Sequence, residues 1–447
     1  MFRKVTQSIA NQMDDDDLVP VRSLLDHEHF QALCLVRRKR KAIFHPSPCY
    51  RQTWYKLDDV LLPGEDNKST ESLCPTGDGE ESKQFAINKS VSDRVDGSLN
   101  LCIEPTSVEL DGAVAFYKGL SIKMEKKHIP LKKIEALTRE RKMNVNHSFI
   151  QQIQKTDQNL YVVHETLEAS EKTSYEESTK AAGSFMTKLY AKFFAKGTRE
   201  KKQSVTIPKG CTLAFKAIEL AIKDGSWSLN HLPEDILVFA CDDSSGGKLG
   251  ALEVEVEENC QILSKLSSDL VIIFLKAIKA VMRDRNLFEE LTEKMEAVLD
   301  ETGSCELKTE SPDLKDLLSS LQSSPGHLLP QLAGAITYTL DALDELTEDQ
   351  LLLLLESLED KIVSQQLKLV KTILEYDIEY SKRPFRVDAG LLSFSQEKEQ
   401  KVTIAMVEMS GVKLQKDGFA VRVTEAFSAV AALYVSLYVL NLLSNSD

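Results

Sequence analysis

Paired cysteines, catalytic signatures and excess positive charge are all missing from this 447-residue sequence. The eight cysteines, at 34, 49, 74, 102, 211, 241, 260 and 305, include no CxxC pair and do not cluster as a disulfide framework does. The opening residues, MFRKVTQSIANQMDDDD, hold no apolar core of signal-peptide length. Free thiols without an export signal lead to the expectation of a reducing, cytoplasmic setting. The zincin HExxH, the GxSxG nucleophile elbow and the dinucleotide GxGxxG are absent. Gly246-Gly247-Lys248 lacks the upstream glycine of a P-loop. His27, Glu28 and His29 cannot converge on a metal without help from elsewhere, and Asp14 to Asp17 read as a solvated run. The expectation is therefore no enzyme, no catalytic residue, no cofactor and no metal. A net charge of −14 argues against nucleic acid as a partner.

Apolar residues at 42% and charged residues at 28% form an ordinary globular balance. At about 150 residues per domain, the length suits two or three domains. The charge is unevenly placed. Up to Asp242 there are 35 basic and 34 acidic residues; after it there are 20 and 35. The acidic half is thus suited to hold the basic clusters of the first half in check. Residues 426–446 carry no charge and are long enough to cross a bilayer. Their flanks, Glu425 and Asp447, are not the basic anchors of a span, so a buried core helix is expected.

The first half reads as α+β. Phe2, Val5, Ile9 and Met13 share one helical face. Residues 32–36 and 53–62 are strand-like, and 63–82 are turn-rich. Phe85, Ile87, Val91 and Val95 alternate with polar residues, as do Leu99, Leu101 and Ile103 after Asp96-Gly97, a hairpin signal. A second pair of runs spans about 159–176 and 181–207, enclosing the amphipathic patch 183–197. Such runs suit a transmembrane barrel wall or an ordinary half-solvated antiparallel sheet. From about residue 252 the period turns helical, with candidates at 253–266, 268–283, 286–300, 312–322, 327–343, 348–358, 361–376 and 423–444. CDDSSGGKLG (241–250) reads as an exposed linker between the two.

The densest basic run is Arg37-Arg38-Lys39-Arg40-Lys41, followed by Ile43-Phe44. Five cations then two large apolar residues match a loop that meets anionic headgroups and inserts. Arg3 and Lys4 extend the patch if the first helix packs beside it. A solvated or nuclear-localisation-like run is the plainer alternative.

Several blocks in order resemble the gasdermin family over nearly the whole chain: LVRRKRK (35–41), LDDVLLPG (57–64), NLYVVHETLE (159–168), VTIPKGCTLAFKAIEL (205–220), LEDKIVSQQLKLVKTILE (358–375) and ALYVSLYVLNLL (432–443). The resemblance implies an α+β N-terminal pore-forming domain with a twisted antiparallel sheet (1–236), a protease-sensitive linker (237–252) and an all-α C-terminal autoinhibitory domain (253–447). Linker cleavage then frees the first domain. It binds acidic phospholipids, oligomerises and inserts a β-barrel, so the protein moves from cytoplasm to plasma membrane and the cell dies by pyroptosis. Arg3, Lys4 and Arg37 to Lys41 become lipid-binding candidates. Ile43 and Phe44 become autoinhibitory contacts, and segments 85–103 and 160–207 the membrane hairpins.

The linker itself suggests the protease. Phe239-Ala240-Cys241-Asp242 has the aspartate and the aromatic three positions earlier that an inflammatory caspase such as caspase-1 takes. Asp243 is the alternative cut, since it puts small Ser244 after the bond. Asp93-Arg94-Val95-Asp96-Gly97 matches an executioner pattern, so a cut at Asp96 is expected to inactivate the hairpin. Family members with an acylated cysteine carry it near the second hairpin tip; residues 181–200 have none, leaving Cys34, Cys49 and Cys211. The competing function is a non-lytic scaffold that binds anionic membrane through the basic loop.

Overall fold

A computed structural model describes residues 2–13, 17–39, 42–45, 48–63, 84–85, 99–101, 120–156, 158–178, 185–193, 202–231, 247–299, 307–323, 328–376, 383–422 and 426–444. The activating and inactivating cleavage candidates, Phe239, Asp242, Asp243, Asp93 and Asp96, lie outside these residues, as do Arg40 and Lys41.

The first half is built on an eight-stranded antiparallel sheet. Its main path runs β1 (Val19–Pro20), β11 (Thr212–Lys223), β8 (Leu160–Ala169), β2 (Cys34–Arg38), β3 (Tyr50–Lys56). Strand β12 (Ser226–Asn230) joins β11, β7 (Met124–His128) joins β8, and β4 (Gln84–Phe85) joins β7. Strand β8 is buried on both faces, as a central strand is. Helix α1 (Phe2–Gln12) lays Phe2, Val5 and Ile9 on one face, against Tyr161, Val163 and Phe215. Helices α2 (Leu131–Glu140) and α3 (Ser148–Thr156) cover the other with Ile134, Leu137, Ile150 and Ile153, against Leu160 and Val162. Alternate residues of one strand therefore feed two cores, which is the period-two consequence of a pleat.

Most of the first expected hairpin, residues 86–98 and 102–103, lies outside the described residues, and the second divides differently. Of the first, β4 pairs with β7, and β5 (Leu99–Leu101) pairs with β6 (Leu120–Ile122). These described pieces pair with the 120–128 stretch, not with each other. In the second, β9 (Thr173–Ser178) pairs in register with β10 (Lys202–Ile207). The run 181–207 is not one strand, because Phe185–Phe193 forms helix α4. Phe185, Leu189 and Phe193 recur every four residues, and that helical stripe packs on the C-terminal cluster, with Leu189 buried and the two rings half-buried.

The second half is helical: α5 (Gly247–Cys260), α6 (Ser268–Val281), α7 (Arg285–Leu299), α8 (Pro312–Gln322), α9 (Leu329–Asp344), α10 (Glu348–Glu359), α11 (Val363–Leu374), α12 (Glu397–Glu408) and α13 (Phe427–Ser444). The uncharged helix α13 has a mean hydropathy of 1.7 and packs on α11, α9 and α6. Leu433, Val435 and Leu437 on it are fully buried. Helix α12 had no counterpart among the sequence candidates. Neither had a small antiparallel sheet of β13 (Phe385–Arg386), β14 (Val412–Leu414) and β15 (Phe419–Arg422).

Candidate functional site at the domain interface

The loop after β2 crosses onto the helical half. Phe44 is fully buried in the cluster built by the C-terminal helices, and Ala42 joins it. The Phe44 ring meets Tyr338 of α9 edge-on, with centroids 5.3 Å apart. The Ile43 backbone N–H donates to both carboxylate oxygens of Glu255 on α5, at 3.1 and 3.3 Å. Tyr338 Oη donates to the same carboxylate at 3.0 Å. Glu255 thus holds the loop backbone and the ring that covers Phe44. Ile43 itself is half-buried against the cluster.

Around this apolar plug lie ion pairs between the halves. Arg3 Nη1 is 2.9 Å from Asp344 Oδ2, and its Nη2 is 2.6 Å from Glu345 Oε2. Arg22 reaches the same two carboxylates at 3.2 and 3.0 Å. Lys39 Nζ contacts Glu296 at 2.6 Å and Asp341 at 3.4 Å, and Arg51 also pairs with Glu296. Asp341, Asp344 and Glu345 crowd the C-terminal end of α9, where the helix dipole disfavours anions and no basic residue fills the last turn. The cations of the first half supply what α9 lacks, helped by Arg285 on Asp344 Oδ1 at 2.7 Å. Burial alone would raise the Asp344 carboxyl. Arg3, Arg285 and Arg22 overrule it and hold it well below the usual carboxylate range.

A second anchor is helix α4, docked on α10. Leu189 is buried in the C-terminal cluster. Tyr190 Oη donates to Asp349 at 2.5 Å. Lys192 Nζ lies 2.6 Å from Glu356 and 2.5 Å from Glu359. Glu356 is also paired with Lys398, so a buried carboxylate is shared by both halves. Its burial raises the carboxyl, but hydrogen bonds from Lys192 and Lys398 win and lower it.

Of the basic candidates, Arg3 and Lys39 face carboxylates of the second half. Arg37 and Arg38 bond within the first half, to Gln158 at 2.6 Å and to Tyr161 respectively. Lys4 lies on α1, and its side chain is outside the described residues. Arg22 and Arg51 belong to the interface without having stood out in the sequence, and Leu189, Tyr190 and Lys192 of the amphipathic patch join it without having been read as interface residues. Cys34, Cys49 and Cys211 are buried, and burial pushes all three thiols up, Cys211 to about 12. None is a ready thiolate in this closed state.

His45 sits beneath the arginines. Its Nδ1 accepts the Ala42 N–H at 3.3 Å, and Nε2 lies 3.9 Å from Glu345. Burial, with Arg22, Lys39 and Arg3 nearby, lowers its pKa to about 3, against a smaller opposing pull from Asp344. Once the halves part, the imidazole regains an ordinary pKa near 6.5. The separated state then binds the extra proton, so closure is at full strength above about pH 6.5 and weakens below it. Between pH 7.5 and 5.5 the halves of a linker-cut chain are expected to associate about tenfold more weakly. Size-exclusion retention across pH measures this, and His45→Gln flattens the profile over that range.

The family model described as the gasdermin pore forming domain matches residues 1–236, and the gasdermin PUB domain matches residues 248–421. Gasdermin-A of Mus musculus is 30% identical over the whole of both chains. The chain belongs to the gasdermin family. Gasdermin-A of Homo sapiens is 30% identical over 94% of this chain and 93% of that protein. Gasdermin-D of Homo sapiens is 25% identical over 99% of this chain and 98% of that protein. A cryo-EM structure of the gasdermin A3 membrane pore aligns with 55% of this chain and 96% of that one, at 24% identity and a TM-score of 0.34. The first half is thus a gasdermin pore-forming domain, and the interface described above joins it to the gasdermin C-terminal domain.

Proposed function

We infer that this gasdermin is an autoinhibited pore former, not an enzyme, in which residues 253–447 restrain residues 1–236 until the linker 237–252 is cut. The observation that carries the reading is Phe44 seated in the C-terminal core, ringed by Arg3, Arg22, Lys39 and Arg51 on carboxylates. A large ring is costly to leave in water and basic side chains suit an anionic surface, so separation creates a membrane-seeking face. Before cleavage the tether keeps the inhibitor at an effective concentration of about mM. After cleavage that advantage is lost and acidic phospholipid competes for the same cations. The freed domain then oligomerises and inserts its two hairpin segments as a β-barrel in the plasma membrane, the route to pyroptotic lysis. An inflammatory caspase such as caspase-1 cuts after Asp242, with Phe239 in its pocket, or after Asp243; a cut at Asp96 inactivates.

The test is digestion of the full-length chain with caspase-1 beside dye-loaded anionic vesicles, with the new N-terminus sequenced. Leakage with a new terminus at Asp243 or Ser244 is the expected result. Cutting there without leakage overturns the pore and favours a non-lytic membrane scaffold. No cutting overturns the protease assignment, and leakage after cutting at an inserted site in the linker then tests the pore separately.

A further inference from the structure

Two large apolar side chains stand exposed at the rim of the covered basic face. Trp54 is 70% exposed and Leu25 is 80% exposed. Each follows by three residues a cation that the C-terminal half covers: Arg22 before Leu25, and Arg51 before Trp54. Trp54 touches the ring of His29, whose backbone N–H donates to the Asp26 carbonyl at 2.9 Å. Asp26, next to Leu25, feels Glu289 of the C-terminal half and hydrogen-bonds Gln52 of β3, so this surface adjoins the interface.

Trp54 is not an incidental surface ring. It lies on β3, which ends the main path of the sheet. Its backbone takes φ +66°, a left-handed conformation costly for a bulky L-residue. Leu33 takes φ +66° as well, next to the register shift between β2 and β3. The indole is steadied by the edge of the His29 ring, with centroids 4.0 Å apart. The fold therefore holds a tryptophan outward at a backbone cost, which points to use of the side chain rather than to packing. Tryptophan favours the boundary between headgroups and acyl chains. Arg22 and Arg51, uncovered alongside, match the negative surface of such a bilayer.

We propose that Trp54 and Leu25 form an interfacial anchor that seats the released pore-forming domain on an anionic bilayer beside its basic face. This rests on the phospholipid-binding reading above and adds a second insertion point, apart from Ile43-Phe44. A second copy of the chain is the other conceivable occupant; the uncovered cations favour the bilayer.

The chain supplies its own reporter, because it has two tryptophans and Trp227 is buried. Subtracting the spectrum of Trp54→Phe from that of the wild type isolates Trp54. The full chain is cut in the linker with phosphatidylcholine vesicles, with vesicles containing phosphatidylserine, and with the latter carrying brominated acyl chains. Flotation and dye leakage are recorded on the same samples. The expected result is a shift of Trp54 emission to shorter wavelength on the anionic vesicles, with quenching by the brominated chains. Trp54→Ala is expected to lower vesicle partitioning about tenfold, equivalent to about 1.4 kcal/mol. Bound, leaking vesicles with unshifted Trp54 emission overturn the anchor alone. A shift without bromine quenching assigns the site to a neighbouring subunit and also overturns it. Failure to float with anionic vesicles overturns the underlying reading, and the anchor with it.

Discussion

Phe44→Ala is expected to make the uncut chain leak anionic vesicles. Truncating a fully buried phenylalanine costs about 3–5 kcal/mol, part transfer and part cavity. Phe44 is fully buried and touches Tyr338 in a cluster formed by the opposite half. The whole of that loss therefore falls on closure and little on the stability of either half alone. In equilibrium terms it is a factor of roughly a hundred to several thousand. The tether compensates at only about mM effective concentration. The open fraction rises accordingly, and pores form from open molecules without proteolysis. Two controls separate this from general unfolding. Phe44→Leu keeps much of the volume and is expected to leak far less. Ile43→Ala spares the Ile43 backbone N–H that Glu255 accepts, so it too is expected to be mild. Dye release by the uncut Phe44→Ala chain no faster than by wild type would sink the role given to this ring.

The apolar part of this site was legible in the sequence, and the polar part was not. Ile43-Phe44 stand out because two large apolar residues follow five cations. Helix α1 and helix α13 were readable because each carries a local pattern, one amphipathic and one uncharged throughout. Arg22 and Arg51 carry no such pattern; they matter only because the fold brings them to Glu345 and Glu296, hundreds of residues away in sequence. Helix α4 was visible as an amphipathic patch, yet its neighbours alternate like strands and its partner α10 begins more than 150 residues later. The partners of the described pieces of the 84–128 stretch were not legible for the same reason, since alternation fixes which face a residue takes and not which strand lies beside it. Helix α12 had a usable signal in the Gln396–Glu399 capping box, but its apolar residues are diluted by a charged first turn.

The acidic half is where closure is expected to be most sensitive to charge, and Asp344→Asn tests it. One carboxylate takes Arg3, Arg22 and Arg285 together. Removing one partner from a buried charge pair costs about 3–5 kcal/mol, because the other charge stays buried without it. Glu345 still serves Arg3 and Arg22, and Arg285 keeps Glu289 on its own helix. The effect on closure therefore falls at the low end of that range, roughly a hundredfold. The helical half is affected in the opposite sense. Asp344 and Asp341 end α9 against its dipole, so a neutral residue there spares the separated helical half a repulsion worth about 0.3–1 kcal/mol, which offsets the lost pair with Arg285. After linker cleavage, Asp344→Asn is expected to release its halves at lower lipid concentration than wild type, while thermal unfolding of the separated C-terminal fragment holds or rises. Asp313→Asn, on the exposed first turn of α8, serves as the charge-matched control. An Asp344→Asn chain that separates no more readily than Asp313→Asn would show that the carboxylate cluster does not restrain the pore-forming domain, leaving Phe44 and α4 to hold it.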